Sequence, residues 1–451
     1  MLEKLTELLE EKKYGVIREF LFDQNPADIA EAFVELSEHN LLVLFRILPK
    51  DMASDVFVEM TSDAQEFLIK SFSDKELYEV FDDLYLDDTV DIIEEMPANI
   101  VKRILRNTDA QTRDAINTLL MYPKDTAGSI MTIEYICLKR SLSVDMAFAQ
   151  IKRTGIEKET IYTSYVVDEG RRLIGLVDAK DLMLSDRDDI IENIMHTNVI
   201  SVNTLDNKED VAKMFEKYDL LALPVVDKEG RLVGIVTVDD AMDVISEATE
   251  EDFALMAGVT PQEKTYLQSS VFSIFKARIP WLMLLMLSAT FTGMIISGFE
   301  ASLSVYTVLT SFIPMLMGTA GNSSSQSSVT VIRGLSIGEI NFSDAFRVIW
   351  KELRVSVSCG VALACVNFFK IFYFDRLVLG MTDITATVAL VVSLTVLITV
   401  ILAKIVGCTL PIAAKKIGLD PAVMASPFIT TIVDALSLIV FFRVVVIFMP
   451  I

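Results

Sequence analysis

The chain has 451 residues, of which 52% are hydrophobic, and a net charge of −23 at pH 7. The charge is divided unevenly, with −27 in residues 1–270 and +4 in residues 271–451. An acidic front half excludes nucleic acid as a partner, because the phosphate backbone attracts basic proteins. It suits divalent cations, which prefer oxygen ligands, although solubility alone is a competing explanation of the acidity.

Cysteine and histidine usage excludes two further classes of site. The four cysteines form no CxxC pattern, and two histidines are too few for a His-based metal centre. We therefore expect neither a disulfide framework nor a zinc site. The N-terminal sequence MLEKLTELLEEKK is charged and lacks an apolar signal region, so the front half is expected in the cytoplasm.

Residues 1–125 are predicted to form an acidic, all-α domain of short helices. An Asp or Asn recurs about every 12 positions, each time ahead of an apolar helical pattern. These residues accept hydrogen bonds from the free N–H groups at a helix start, and a fixed short period is typical of helical repeats. The expected caps are Asn40, Asp51, Asp63, Asp74, Asp87 and Asn99.

One predicted helix of this domain has an acidic face. In the sequence YLDDTVDIIEEMP, three carboxylates lie at positions i, i+3 and i+7, namely Asp88, Asp91 and Glu95. An ion-binding face is one interpretation. Solubility and interaction with the helix dipole are the other.

Residues 126–246 contain an internal repeat. The segment VVDEGRRLIGLVDAKDLM at 166–183 matches VVDKEGRLVGIVTVDDAM at 225–242, and each copy predicts a strand, a turn with Gly, a second strand and a helix. The pair resembles tandem CBS domains (cystathionine-β-synthase domains), which implies an α/β fold and a regulatory role. The alternative is a purely structural pair.

The CBS resemblance also implies an adenosine nucleotide, such as ATP, as a regulator. In that family, nucleotide sites carry a Thr or Ser three residues before an Asp, directly after the last strand. Thr237 and Asp240 fit this pattern in the second copy, whereas the first copy has Asp178 and Asp181. We therefore expect one nucleotide site, formed by Thr237 and Asp240.

A linker and a membrane domain are predicted to follow. Residues 247–275 begin with an acidic segment that is expected to form a linker helix, which either transmits the cytoplasmic state or is a solvated connection. Residues 276–451 contain five apolar stretches long enough to cross a bilayer, and the lysines and arginines of the loops predict a cytoplasmic N-terminus and an external C-terminus. The predicted spans are 279–299, 301–332, 355–374, 384–403 and 422–442.

Asp434 is the one charged residue between positions 422 and 442. A charge at this depth is costly and usually faces a bundle interior or an aqueous path. Asp434 is therefore predicted to be an ion-pathway residue, with pairing to an arginine elsewhere in the bundle as the alternative. A dimer with the pore on its two-fold axis would bring two copies of Asp434 together, which suits hydrated Mg²⁺.

Two membrane motifs resemble the MgtE family of magnesium channels and transporters. They are PMLMGTAGNSSSQSSVTVIRGLSIGEI at 314–340 and PFITTIVD in the last span, and the order of domains is similar as well. The resemblance implies a homodimer in the plasma membrane, with Mg²⁺ bound by the pore aspartate. It also implies that cytoplasmic Mg²⁺ closes the pore by binding acidic residues of the N domain, the CBS domains and the linker.

The resemblance assigns roles to individual residues. The implied metal-binding residues are Asp434, Glu59, Asp88, Asp91, Glu95, Asp239, Asp240, Asp243, Glu247, Glu250, Glu251, Asp252 and Asp420. The implied pore-lining residues are Asn322, Gln326, Thr430 and Thr431. The family motif GTGGNAGSQ reads GTAGNSSSQ here, and a glycine usual three residues after the pore aspartate is Ser437, so selectivity among Mg²⁺, Mn²⁺ and Co²⁺ is left open.

The predicted function is a Mg²⁺-selective channel or transporter gated by cytoplasmic Mg²⁺. A proton- or sodium-coupled divalent cation carrier is the alternative, because lone intramembrane carboxylates also serve proton relays. The inverted repeats that would favour a carrier are not evident. A third interpretation is a membrane-tethered nucleotide sensor that transports nothing, but a simple membrane anchor would need neither the polar second span nor Asp434. An enzyme is not expected, because the sequence shows no nucleophile–base pair, P-loop or HExxH motif.

Overall fold

The structure is a computed structural model that describes residues 1–262, 266, 269–299, 306–381, 384–424 and 426–449, without the side chains of Asp51, Glu157 and Ser426. It divides into two compact units, Met1–Ile245 and Ser246–Ile451. Unit 1 begins with short helices, and unit 2 contains the long apolar ones.

Ten helices of 8–10 residues open unit 1. Their buried apolar faces meet in one core, in which the rings of Phe45, Phe57, Phe72 and Phe81 contact each other. The helices are α1 (Leu2–Glu10), α2 (Tyr14–Phe22), α3 (Pro26–Val34), α4 (Glu38–Phe45), α5 (Lys50–Val58), α6 (Ser62–Ser71), α7 (Asp74–Phe81), α8 (Leu86–Glu95), α9 (Ala98–Asn107) and α10 (Ala110–Leu119).

The structure has the predicted helical period, but the predicted cap positions were wrong. From α4 to α10 the N-caps are residues 37, 49, 61, 73, 85, 97 and 109, twelve residues apart. The expected caps Asn40, Asp51, Asp63, Asp74, Asp87 and Asn99 lie one to three residues later. Carboxylates in a first turn interact favourably with the helix dipole, so these aspartates mark helix starts without capping them.

The CBS pair forms two three-stranded sheets with the same topology. In each sheet the first strand is parallel to the second, and the second is antiparallel to the third. The strands are β1 (Ile136–Lys139), β2 (Thr163–Val167), β3 (Leu173–Asp178), β4 (Val202–Asn203), β5 (Ala222–Val226) and β6 (Leu232–Thr237). The helices are α11 (Val144–Thr154), α12 (Ala179–Leu184), α13 (Ile191–Ile194), α14 (Lys208–Tyr218) and α15 (Val238–Met256).

The predicted internal repeat is confirmed down to its irregularities. The register shifts between Val166 and Val167 in the first copy and between Val225 and Val226 in the second. The equivalent glycines of β3 and β6 are also required for the same reason, because a methionine side chain occupies the space that a Cβ would need. A Cβ on Gly175 would lie 2.8 Å from the sulfur of Met195, and one on Gly234 would lie 2.6 Å from that of Met131.

Unit 2 is built from long helices. Among the described residues, four segments are long and apolar enough to cross a membrane, namely Val271–Gly298, Phe342–Val378, Ala386–Lys416 and Pro421–Phe448. The polar second predicted span, 301–332, is not among them. Its part from Ile313 onward belongs to a continuous helix of 24 residues, Ile313–Ser336. The helices are α16 (Val271–Gly298), α17 (Ile313–Ser336), α18 (Ala345–Phe369, continued by a π-helix Lys370–Val378), α19 (Ala386–Lys416) and α20 (Ser426–Phe448).

The linker was predicted to be one helix over residues 247–275, and this prediction was wrong. Residues 247–256 continue α15, which starts within the second CBS copy, and the next helix starts at Val271. Gly258 has a φ of +68°, a conformation that commonly ends helices because a side chain is strained there. The described residues between 257 and 270 are not helical.

Candidate functional site

Asp434 lies on α20, half-buried against α17. A Cβ on Gly321 of α17 would be 3.9 Å from the Oδ1 atom of Asp434 and 3.5 Å from the Cγ2 atom of Thr430. The glycine therefore leaves the carboxylate accessible along this side of α17. In the part of the chain that the structure describes, no ion pair joins Asp434 to a basic side chain.

The two faces of α17 differ. Asn322 and Gln326 are exposed one turn apart. Four serines of α17 are buried, namely Ser323, Ser324, Ser327 and Ser328, and of these Ser324 and Ser327 contact α19. Small buried residues allow helices to approach closely, while exposed amides on a membrane helix suit an aqueous path or a partner helix.

The two predicted threonines stabilise the start of α20. The hydroxyls of Thr430 and Thr431 donate to the carbonyl oxygen of Pro427 at 3.0 and 3.1 Å, and both side chains are half-buried. Asp420 is exposed, and its Oδ1 accepts from the backbone N–H of Ala422 at 2.7 Å. Asp420 thus caps the turn before α20.

The acidic end of α15 lies in unit 2. Glu247, Glu250 and Glu251 are exposed, whereas Asp252 is half-buried. The carboxylate of Asp252 accepts from the hydroxyl of Ser336, the last residue of α17. Of the four linker carboxylates, Asp252 is thus in hydrogen-bond contact with α17.

A second group of carboxylates lies in unit 1, where α8 meets the CBS pair. Asp87 is 9% exposed and Asp88 is half-buried. The Oε2 atom of Glu134, just ahead of β1, accepts from the N–H of Leu86 at 2.9 Å, so it caps α8. We call Asp87, Asp88, Glu134, Glu159 and Asp240 the carboxylate cluster.

The members of the carboxylate cluster disfavour each other's charge. Burial, followed by the charge of Asp88, raises the pKa of Asp87 to about 7. Burial and the charge of Asp240 raise the pKa of Asp88 to about 7. Burial and the charge of Asp87 do the same to Asp240, with a pKa of about 7, and also raise the pKa of Glu159 to about 9. Near neutral pH the cluster therefore gains from protons or from a cation.

The cluster is not a closed coordination shell. Within the described residues, no group of three or more His, Cys, Asp or Glu side chains is arranged to hold a metal ion directly. Carboxylates that are close without converging suit an ion that keeps its water, as Mg²⁺ often does.

The structure brings together only some of the predicted residues of unit 1. Asp88 and Asp240 belong to the cluster, and the charge of the exposed Glu59 also acts on Asp88. Asp91 borders the cluster as well, since burial and the charge of Asp240 raise its pKa to about 8. Asp239 and Asp243 are exposed on their helices, although the charge of Asp239 acts on Asp88. Glu95 accepts from the Ser62 hydroxyl. Sequence reasoning missed Asp87, Glu134 and Glu159. Asp87 is adjacent to Asp88 in the sequence and could have been found from that pair. The spacing i, i+3, i+7 that defined the acidic face left it out.

Of the two predicted nucleotide residues, Asp240 belongs to this cluster and Thr237 is hydrogen-bonded to it. The Thr237 hydroxyl, 5% exposed, donates to the Oδ2 atom of Asp240 at 2.5 Å. A cavity of about 930 Å³ lies instead between the two copies. Asp178 at the end of β3, Lys180 just after it, Asp219 just ahead of β5, and His196 are among its lining residues. At its edge the Nε2 atom of His196 lies 2.9 Å from Asp181.

Comparison with known proteins covers nearly the whole chain. Residues 313–444 match the family described as a divalent cation transporter, residues 24–125 match the MgtE intracellular N domain, and residues 127–187 and 191–247 match CBS domains. The chain is 32% identical to the magnesium transporter MgtE of Thermus thermophilus over 98% of this chain and 96% of that protein. It is 31% identical to the Bacillus subtilis transporter of the same name, over 97% and 95%.

Two solved structures resemble about half of the chain. One is the cytosolic domain of the Mg²⁺ channel MgtE in complex with ATP, which is 35% identical, covers 54% of this chain and 100% of that chain, and has a TM-score of 0.52. The other is the soluble part of a magnesium transporter, which is 30% identical, covers 55% and 97%, and has a TM-score of 0.51.

The long apolar helices, the CBS pair and the match to a divalent cation transporter family define a multi-pass membrane transporter with CBS domains. The chain belongs to the MgtE family. Since this is a family of transporters, the expectation that the chain is not an enzyme is confirmed.

Proposed function

We propose that the chain carries Mg²⁺ across the plasma membrane along a path that passes Asp434. The observation that carries this proposal is a half-buried carboxylate in a membrane helix, without a basic partner among the described residues and next to a glycine. An uncompensated charge at this depth is costly unless an ion or water meets it. The choice of Mg²⁺ as the ion is supported by the full-length relatives, which are named magnesium transporters.

The path is completed by a second copy of the chain. In this proposal two protomers meet about a two-fold axis, since C₂ is the commonest symmetry. The exposed Asn322 and Gln326 of both copies then line the path. The N-terminus is cytoplasmic and the C-terminus external, as the loop lysines and arginines favour.

Cytoplasmic Mg²⁺ closes this path by binding the acidic residues of unit 1 and of the linker. The raised pKa values of Asp87, Asp88 and Asp240 support this, because they report repulsion that a divalent cation would relieve. A ligand shifts a conformational equilibrium only by its differential affinity for the two states. Here the cation favours the state in which the carboxylates are close.

An adenosine nucleotide modulates this response from the CBS pair. The ATP complex of the 35% identical cytosolic domain supports the ligand class. The cavity between the two copies is about 930 Å³ in volume and is lined in part by Lys180, whereas Thr237 is buried and hydrogen-bonded to Asp240. Because this cavity has room for a ligand and a lysine for its phosphates, we place the nucleotide there rather than at Thr237.

The test is divalent cation uptake into proteoliposomes by the wild type, Asp434→Ala and Asp434→Asn, at low and high Mg²⁺ on the cytoplasmic side. Glu339→Gln, an exposed carboxylate of unit 2, serves as the control. We expect uptake by the wild type and the control, loss in both Asp434 variants, and block of the wild type by internal Mg²⁺. Uptake that needs a proton or sodium gradient would replace the channel with a coupled carrier.

A further inference from the structure

A buried lysine connects three helices of unit 2. Lys404, in the middle of α19, is 5% exposed. Its Nζ atom donates to the Oγ atom of Ser327 on α17 at 3.4 Å. That hydroxyl donates to the Oε2 atom of Glu352 on α18 at 2.6 Å. We call these three residues the Lys–Ser–Glu bridge.

The bridge holds two opposite charges on either side of one hydroxyl. A buried ammonium is costly unless hydrogen bonds and a counter-charge compensate it. In the described part of unit 2, no carboxylate is close enough to Lys404 for a direct ion pair, so Glu352 compensates it through Ser327. Removing one charge leaves the other uncompensated, whereas removing both charges does not.

The bridge lies beside a very close contact of two helices. A Cβ on Gly407 of α19 would collide with the carbonyl oxygen of Ser324 on α17. Ser324 and Ser328 have no exposed surface. Close backbone contact fixes the distance between α17 and α19 but leaves sliding and rotation to be set by directional bonds. The Ser327 hydroxyl makes two such bonds, accepting from Lys404 on α19 and donating to Glu352 on α18.

The rotation of α17 decides where its exposed amides point. Gln326 and Ser327 are successive residues, so their side chains are separated by about 100° around the helix axis. Any rotation that takes Ser327 away from Lys404 and Glu352 turns Gln326 and Asn322 by the same angle. Both amides are exposed at the rotation of α17 in which the Lys–Ser–Glu bridge is formed.

We propose that the Lys–Ser–Glu bridge is a positioning device that fixes the rotation of α17 and thereby directs Asn322 and Gln326 at the cation path. The proposal rests on the proposed function, in which this face lines the path. The three residues act through α17 and do not contact the ion. They are positioning residues for transport.

The first test compares Mg²⁺ uptake by the full-length variants Ser327→Ala, Lys404→Met, Glu352→Gln and the double variant Lys404→Met/Glu352→Gln. Ser328→Ala is the matched control, because this adjacent serine is buried and its hydroxyl has no hydrogen-bond partner among the described residues. We expect each single variant to lower uptake about tenfold. Ser327→Ala removes both hydrogen bonds of the bridge, and Lys404→Met and Glu352→Gln each leave the opposite charge uncompensated. The double variant should recover most of the uptake, because the amide that Glu352→Gln introduces keeps a neutral hydrogen bond to Ser327.

The second test reports rotation without depending on transport. In a full-length background whose four native cysteines are replaced by alanine, Gln326→Cys should react with a water-soluble thiol reagent and Ser323→Cys should be protected. Adding Lys404→Met should reduce the ratio of the two labelling rates, Gln326→Cys over Ser323→Cys, at least severalfold. Adding Ser328→Ala should leave this ratio unchanged. Unchanged labelling with Lys404→Met, or a double variant no better than the singles, would overturn the bridge as a positioning device. If the wild type carries no divalent cation, the proposed function fails, and labelling still decides the role of the bridge.

Discussion

The carboxylate of Asp252 accepts a hydrogen bond from the hydroxyl of Ser336 at 3.0 Å. This bond joins the end of α15 to the end of α17, within one compact unit. Leu255 and Met256 extend the contact by packing against Ile332 and Ala422. The segment that leaves the CBS pair therefore holds the helix that carries Asn322 and Gln326.

Breaking this contact is expected to weaken the block by cytoplasmic Mg²⁺. A hydrogen bond to a charged group contributes about 1.5–3 kcal/mol. In Ser336→Ala and Asp252→Ala, the internal Mg²⁺ concentration that halves uptake should therefore rise about tenfold or more. Proteoliposome uptake at graded internal Mg²⁺ measures this. Ser358→Ala, an exposed serine that bonds to the Arg354 carbonyl oxygen of its own helix, is the control. An unchanged half-blocking concentration would contradict the role of the contact.

Gly321 is expected to tolerate alanine but not leucine. An added Cβ meets Thr430 at 3.5 Å and Asp434 at 3.9 Å, which are ordinary van der Waals contacts. Gly321→Ala should therefore keep uptake within about threefold of the wild type. Gly321→Leu places three more carbons beside the carboxylate and should reduce uptake at least tenfold. Equal uptake by the two variants would show that Gly321 does not border the path.

Gly407→Ala is expected to destabilise unit 2. Its Cβ would overlap the carbonyl oxygen of Ser324, so α17 and α19 must separate. Overpacking of this kind costs about 1–3 kcal/mol. Thermal unfolding of the full-length protein in detergent should show a melting temperature lower by several degrees. Gly293→Ala, on α16 with nothing within 4 Å of its added Cβ, should melt like the wild type.

The carboxylate cluster predicts a pH dependence of stability. Asp87, Asp88 and Asp240 have folded-state pKa values of about 7, raised above the ordinary value of 3.8. The folded state therefore binds more protons than the unfolded state between these values, so stability is highest at low pH and falls as pH rises through about 7. In EDTA, the melting temperature of the first unfolding transition should drop by about 5 °C between pH 6 and pH 9.

Two comparisons isolate the cluster as the cause. Asp87→Asn removes one of the buried charges, so its melting temperature should depend less on pH than that of the wild type. Mg²⁺ added at pH 9 should restore stability, because it binds the ionised carboxylates. A wild-type melting temperature that rises with pH would contradict the repulsion inferred here.

The sequence alone determined the order of the domains, the CBS repeat, the helical period of the N domain and the position of Asp434 within a long apolar helix. Each of these depends on neighbours in the chain, through apolar periodicity, repeated turns or a charge within an apolar run. The carboxylates that α8 and the CBS pair bring together were decided by the tertiary structure, since Asp87, Glu134 and Glu159 are far apart in sequence. The same holds for Gly321 beside Asp434 and for the Lys–Ser–Glu bridge. Burial and charge compensation are properties of packed surfaces, and a linear pattern does not contain the distances between them.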